Sequence, residues 1–122
     1  MNFSNIEFNN NEPIYMQIVE LIKRAIATGE LCENEKLPSI REMSKGLKVN
    51  PNTMQRAYSQ LELIGVTYTK RGMGSFISEV KSDTDLQLEM AIQISKKFLT
   101  DMDGIGIEKE RAIEILSSEK LQ

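Results

Sequence analysis

The chain has 122 residues, 40% of them hydrophobic, with one cysteine, no histidine and a formal net charge of −3. That length suits one small folded domain with an appendage; a lone Cys32 and no histidine exclude an intramolecular disulfide and a conventional zinc site. No apolar run approaches the roughly 18 residues of a spanning helix, and Met1-Asn2-Phe3-Ser4 begins no signal peptide with a basic leader, so a cytoplasmic protein with no membrane partner is expected.

The net charge conceals a segregation. Residues 1–35 carry 2 Lys/Arg against 6 Asp/Glu, residues 36–81 carry 8 against 3, and residues 82–122 carry 5 against 9. A local positive face is what counterion release from a polyanion requires, whatever the total.

In chain order, residues 1–12 are Asn-rich, and Phe3, Ile6 and Phe8 predict a short strand or a docking segment. The absence of Lys and Arg argues against an arm that contacts nucleic acid. Pro13 opens the first helix, and Ile14, Ile18, Leu21, Ile22, Ala25 and Ile26 form its buried stripe until Gly29 ends it. Lys23 and Arg24 read as a solvated face, with phosphate contact as the alternative. Cys32 is expected to be a small buried or half-buried residue, because no histidine is present to activate a thiol.

The stretch from Leu37 to Ile77 holds most of the signal. Ser39-Ile40-Arg41-Glu42 has the capping-box arrangement, so a short second helix is predicted from Ser39 to about Gly46. Asn50 then caps a third helix with Pro51 at its first position. The four residues Gly46 to Val49 between the two helices give the spacing of a helix-turn-helix corner. Met54, Ala57, Tyr58, Leu61 and Ile64 recur at helical spacing and predict the core face, which leaves Asn52, Gln55, Arg56 and Ser59 roughly opposite. Asn and Gln can pair bidentately with adenine, and Arg with guanine, in a major groove wide enough for a helix. Gly65 stops that helix. Val66–Lys70 and Ser75–Ser78 are rich in β-branched and aromatic residues, and Arg71-Gly72-Met73-Gly74 joins them into a hairpin. Gly72-Met73-Gly74-Ser75 is no phosphate loop, because a strand follows it and not a helix N-terminus.

These motifs, LPSIRE, the Asn50-Pro51-Asn52-Thr53 helix start and RGMGSFI, resemble the GntR family of bacterial transcription regulators, as does PIYMQIVELIKRAIATGEL in the first helix. The resemblance runs from about Pro13 to Ile77. It implies a winged helix-turn-helix in which Arg41, Asn50, Asn52, Thr53 and Gln55 contact double-stranded DNA, joined by Arg71, Gly72 and Gly74 in the wing. With Ser39 from LPSIRE, the helix residues Arg56 and Ser59, and Lys70 beside Arg71, these are the expected DNA-binding residues. Pro51 and Met73 depart from the family's more usual basic or polar residues at those points.

Past Val80 the composition changes. Lys81-Ser82-Asp83 offers a linker and cap, and residues 84–102 read as a helix whose apolar positions sweep an arc of about 200°, against the roughly 100° of a simple surface helix. So wide an arc predicts two neighbours, and a second subunit is expected on Leu88, Ala91, Ile92, Phe98, Leu99 and Met102. A break at Asp103–Gly106 precedes a shorter helix from Ile107 to Ser117 with Ala112, Ile113 and Leu116 buried, and the tail beyond is expected to fray. A two-helix tail of this size resembles the compact dimerisation tail of the YtrA subfamily, and is too short to enclose the metabolite pocket of larger effector domains.

The predicted fold class is mainly α with a small β-hairpin, a winged helix-turn-helix over residues 1–80 and a helical dimerisation tail over residues 81–122. The resemblance implies a homodimeric repressor that binds a palindromic operator and governs its own operon beside transporter genes. No cofactor, metal or catalytic residue is assigned, since no nucleophile adjoins a base. A small-molecule effector would have to bind at the dimer interface or between domain and tail. The alternative is a winged-helix protein-interaction adaptor, which predicts no salt-dependent affinity for DNA.

Overall fold

The computed structural model describes residues 6–79 and 83–118, which form five helices and a two-stranded hairpin. The expectations for Met1–Ser4, for the linker and cap around Lys81 and Ser82, and for the tail past Ser118 lie outside the described residues. Two compact units emerge, residues 1–86 and residues 87–122.

In the first unit α1 spans Ile14–Ala27. Ile18, Ile22, Ala25 and Ile26 are buried as their spacing requires, while Ile14 and Leu21 are half-buried at the edge of the stripe. Pro13 is the N-cap and not the first helical residue: its backbone is extended and its carbonyl accepts from the Met16 and Gln17 amides. Ahead of the helix, Ile6 and Phe8 pack on the core as a docking segment without strand structure. Gln17 holds this segment, its amide group bonding to both backbone groups of Asn9, at 3.0 and 2.9 Å, and to the Glu12 carbonyl.

α2 spans Ile40–Leu47 and α3 spans Pro51–Leu63. The capping box is formed in full, with Ser39 Oγ accepting from the Glu42 amide at 3.1 Å and the Glu42 carboxylate accepting from the Ser39 amide. Gly46 lies inside α2, which runs one residue past the expected stop. Burial of Leu47 rewards the extra residue, and Lys48 makes the turn in a left-handed conformation at φ 56°. Asn50 caps α3 through a 2.8 Å bond from the Asn52 amide. Met54, Ala57, Tyr58 and Leu61 are buried, but Ile64 is 45% exposed because the helix ends at Leu63 and Ile64 is its C-cap. Tyr58 donates to the Pro38 carbonyl at 2.6 Å, tying α3 to the segment that enters α2.

β1 (Thr67–Lys70) and β2 (Gly74–Ile77) pair antiparallel, Thr67 opposite Ile77 and Lys70 opposite Gly74. A third segment, absent from the sequence expectations, lines the other edge of β2. Asn34 donates to the Ile77 carbonyl, Ile77 to that of Glu35 and Leu37 to that of Ser75, all within 2.9 Å. The polar run Cys32–Lys36 has no alternating pattern to announce a strand, so only pairing to β2 reveals it. The core of this unit is closed by Ile18, Ile22, Ile26, Leu37, Met43, Met54, Leu61 and Ile77, all essentially inaccessible.

Two side chains sit otherwise than their local sequence suggests. Lys23 is not on a solvated face: it is 9% exposed, with its ammonium 3.7 Å from Glu20, and its long stem is what covers apolar surface. Cys32 is exposed, since the chain there runs along a sheet edge outside the core.

α4 spans Asp83–Gly104, all but its first turn in the second unit, and α5 spans Lys109–Leu116. The break falls at residues 105–108, two residues later than expected, and there the Ile107 amide reaches back to the Met102 carbonyl at 2.9 Å. Met90 and Ala112 are buried. Ile113 and Leu116, expected inside, are each 50% exposed: a helix of two turns buries one narrow stripe, and Ala112 occupies it. No helix among the described residues is long and apolar enough to cross a membrane.

Candidate nucleic-acid interface

The buried row of α3 fixes what its opposite row presents. With Met54, Ala57, Tyr58 and Leu61 inside, Asn52, Gln55, Arg56 and Ser59 stand exposed at i, i+3, i+4 and i+7, one continuous polar stripe. Thr53 is half-buried at its margin. Gln55 donates to Ser59 Oγ at 3.2 Å, and the Arg56 guanidinium lies 4.0 Å above the Tyr15 ring centroid. Ser39 and Asn50 are exposed too, but Ser39 Oγ and Asn50 Oδ1 already accept their cap bonds. Their first duty is therefore to hold two helix N-termini, whose partial positive charge favours an anion.

Arg41 is exposed in the first turn of α2. Lys45 is exposed four residues on, and Lys48 is exposed at the C-cap. Like charges at that spacing repel one another slightly, a cost that a phosphate neighbour relieves. Lys45 and Lys48 were not singled out from the sequence, although the basic surplus of residues 36–81 includes them.

The wing is built by its turn. The Met73 amide donates to the Lys70 carbonyl at 2.9 Å around Arg71 and Gly72, and Gly72 sits at φ +78°, the third position of a type II turn, which needs a positive φ. Gly74 follows at φ +115°, and a Cβ there would stand 3.0 Å from Lys36 Cε. Lys36, delivered by the third edge segment, thus joins Lys70 and Arg71 at the hairpin, a placement no local pattern could signal. Tyr68 and Phe76, directly opposed, stack with centroids 5.7 Å apart. The Lys70 ammonium rests 4.8 Å from the Phe76 ring. Arg71 projects from the exposed tip. Such a hairpin can offer cations to phosphates or to a minor groove while a neighbouring helix enters the major groove.

Of the residues expected on the subunit interface, Leu88, Ala91 and Ile92 are exposed, and Phe98, Leu99 and Met102 are half-buried.

Residues 14–77 match the family described as "Bacterial regulatory proteins, gntR family". Two relatives from Bacillus subtilis (strain 168) are similar over most of their length. The uncharacterized HTH-type transcriptional regulator YhcF is 39% identical over 88% of this chain and 90% of its own. The HTH-type transcriptional repressor YtrA is 34% identical over 89% and 85%. Among solved structures, a GntR family transcriptional regulator from Listeria monocytogenes superposes with a TM-score of 0.78 at 40% identity, covering 90% of this chain and 97% of that one. The DNA-binding domain of AraR in complex with operator ORX1 superposes at 0.55 and 26% identity, covering 59% and 93%.

Proposed function

The chain belongs to the GntR family of bacterial regulatory proteins, a DNA-binding transcriptional regulator with a winged helix-turn-helix, and from that premise we propose that it is a cytoplasmic homodimeric repressor of a palindromic operator. The observation that carries this reading is the exposed stripe Asn52, Gln55, Arg56 and Ser59 on the second helix of the motif. In it, α3 enters the major groove and the stripe reads base edges, while Arg41, Lys45, Lys70 and Arg71 meet phosphates and set the register. Similarity to an operator-bound AraR domain supports the docking, and similarity to the repressor YtrA supports the sign of regulation.

Dimerisation is supported by the apolar residues that the second unit leaves in solvent. Leu88 is 59% exposed and Ile92 47%, one turn apart on α4, and a second copy of the same surface would cover them at a two-fold axis. Two recognition helices so related would read half-sites about 34–36 Å apart or at a multiple of that distance. Bound across a promoter, the dimer would exclude polymerase; a site upstream of its own gene, shared with transporter genes, would make the control self-limiting.

Fluorescence anisotropy against duplex DNA from upstream of its own gene, with a scrambled duplex as control and at two salt concentrations, tests the proposal. The expected result is preferential binding that weakens with salt, log K falling with log salt at about −0.9 per phosphate contacted. Gln55→Ala is expected to lose about 1–3 kcal/mol of discrimination at a single base pair, whereas Arg71→Ala should weaken binding to every sequence alike. Binding without salt dependence, or none at low salt, would instead favour a protein-interaction adaptor.

A further inference from the structure

An arginine that reads a base must first be held, because its long side chain otherwise spends rotamer freedom on binding. Arg56 is held by α1. Its guanidinium carbon lies 4.0 Å from the centroid of the Tyr15 ring, and Tyr15 is half-buried and packed on the core of the first unit. The platform is therefore fixed by the fold and does not belong to the helix that carries the arginine.

The chemistry of the holder matters as much as its position. A carboxylate would fix Arg56 by neutralising it; no carboxylate pairs with Arg56 among the described residues. An aromatic face attracts the cation and leaves its full charge. A ring also takes no oxygen acceptor to the guanidinium, so its N–H donors remain available for a bidentate contact to guanine O6 and N7. Arg56 stands in the same exposed row as Asn52, Gln55 and Ser59.

We propose that Tyr15 is a positioning residue for sequence readout: from the first helix, outside the helix-turn-helix, it stacks Arg56 into a charged, pre-oriented guanine reader. This rests on the reading of Arg56 as a base contact.

The test uses the full chain and the consensus duplex that the parent protein selects from a randomised library, with each base pair then substituted singly and binding read by anisotropy. Tyr15→Leu is expected to lower discrimination about 3- to 10-fold at one base pair, the same one at which Arg56→Ala abolishes preference, with no change in salt slope. Tyr15→Phe keeps the ring and should keep the discrimination. Tyr15→Met, which retains apolar bulk against the core, is measured alongside in case Tyr15→Leu unfolds, and should behave as Tyr15→Leu does. If Arg56→Ala abolishes one preference while Tyr15→Leu and Tyr15→Met leave it intact, the positioning role is overturned and the base contact stands. Loss in Tyr15→Phe equal to that in Tyr15→Leu also overturns it, assigning the effect to the hydroxyl. An Arg56→Ala variant with every preference unchanged overturns the base contact itself.

Discussion

Tyr58 joins stability to the site at the scale of one residue. Its ring fills the core side of α3, and its hydroxyl donates 2.6 Å to the Pro38 carbonyl, next to the Ser39 cap of α2. Burial pushes the phenol above its ordinary range, and the charge of Glu42 adds to the effect. A phenol raised in the folded state favours folding fully below its unfolded value of about 10 and loses that contribution as pH climbs toward the folded value. The parent chain should therefore lose stability above pH 10 more steeply than Tyr58→Phe, measured by urea unfolding at a series of alkaline pH values. At neutral pH the same variant should cost about 1–2 kcal/mol for the lost bond and the stranded carbonyl. Identical alkaline slopes for the two proteins would mean that the phenol is accessible.

Among elements, the wing depends most on backbone conformation. β1 and β2 have four residues each, too few to stand alone in water, and they are held by the pairing of Asn34–Leu37 to the outer edge of β2. At Gly74 two constraints coincide, a φ of +115° and Lys36 Cε within 3.0 Å of any added Cβ. Lys36 can swing aside, so backbone strain dominates. Gly74→Ala should lose about 1–3 kcal/mol and, by displacing Lys70 and Arg71, weaken binding to specific and scrambled DNA together. A Gly74→Ala protein with the parent melting temperature and the parent affinity would show that the wing tolerates another path. α2 and α3 are more robust, since their starts are secured by side-chain caps and their burial by several residues each.

At the scale of the whole molecule the test is of the proposed dimer. One recognition helix gives one half-site, and joining two makes the second contact intramolecular, a gain on the order of 100-fold or more in affinity. Replacing both Leu88 and Ile92 by Glu places charge on the exposed row of α4 without disfavouring the helix. Equilibrium sedimentation should show a dimer for the parent and a monomer for the double variant. Operator affinity should fall on the order of 100-fold while the far-UV circular dichroism spectrum is kept. A double variant that sediments as a dimer would move the interface away from this row.

What the sequence determined by itself is local: the capping box at Ser39, the Asn50-Pro51 helix start, the buried and exposed rows of α3, the turn at Gly72 and the alternation of helices with one hairpin. Each is written in residues a few positions apart, where φ preferences, missing N–H groups and side-chain-to-backbone bonds act within a single turn. Periodicity also named most of the core, because a stripe at 3.6 residues can be buried in only one way. Tertiary structure decided everything that depends on who stands opposite. It paired a polar stretch with β2 and so brought Lys36 to the wing. It laid the stem of Lys23 into apolar surroundings and left Cys32 in water. It set Tyr15 under Arg56 across 41 positions of sequence, which no window along the chain could foresee, because a ring and a guanidinium find each other only after two helices have packed. In the tail the pattern gave helices and an excess of apolar surface; Ala112 took the buried place and Ile113 and Leu116 were left exposed, since which part of an apolar arc is covered depends on the surfaces that meet it.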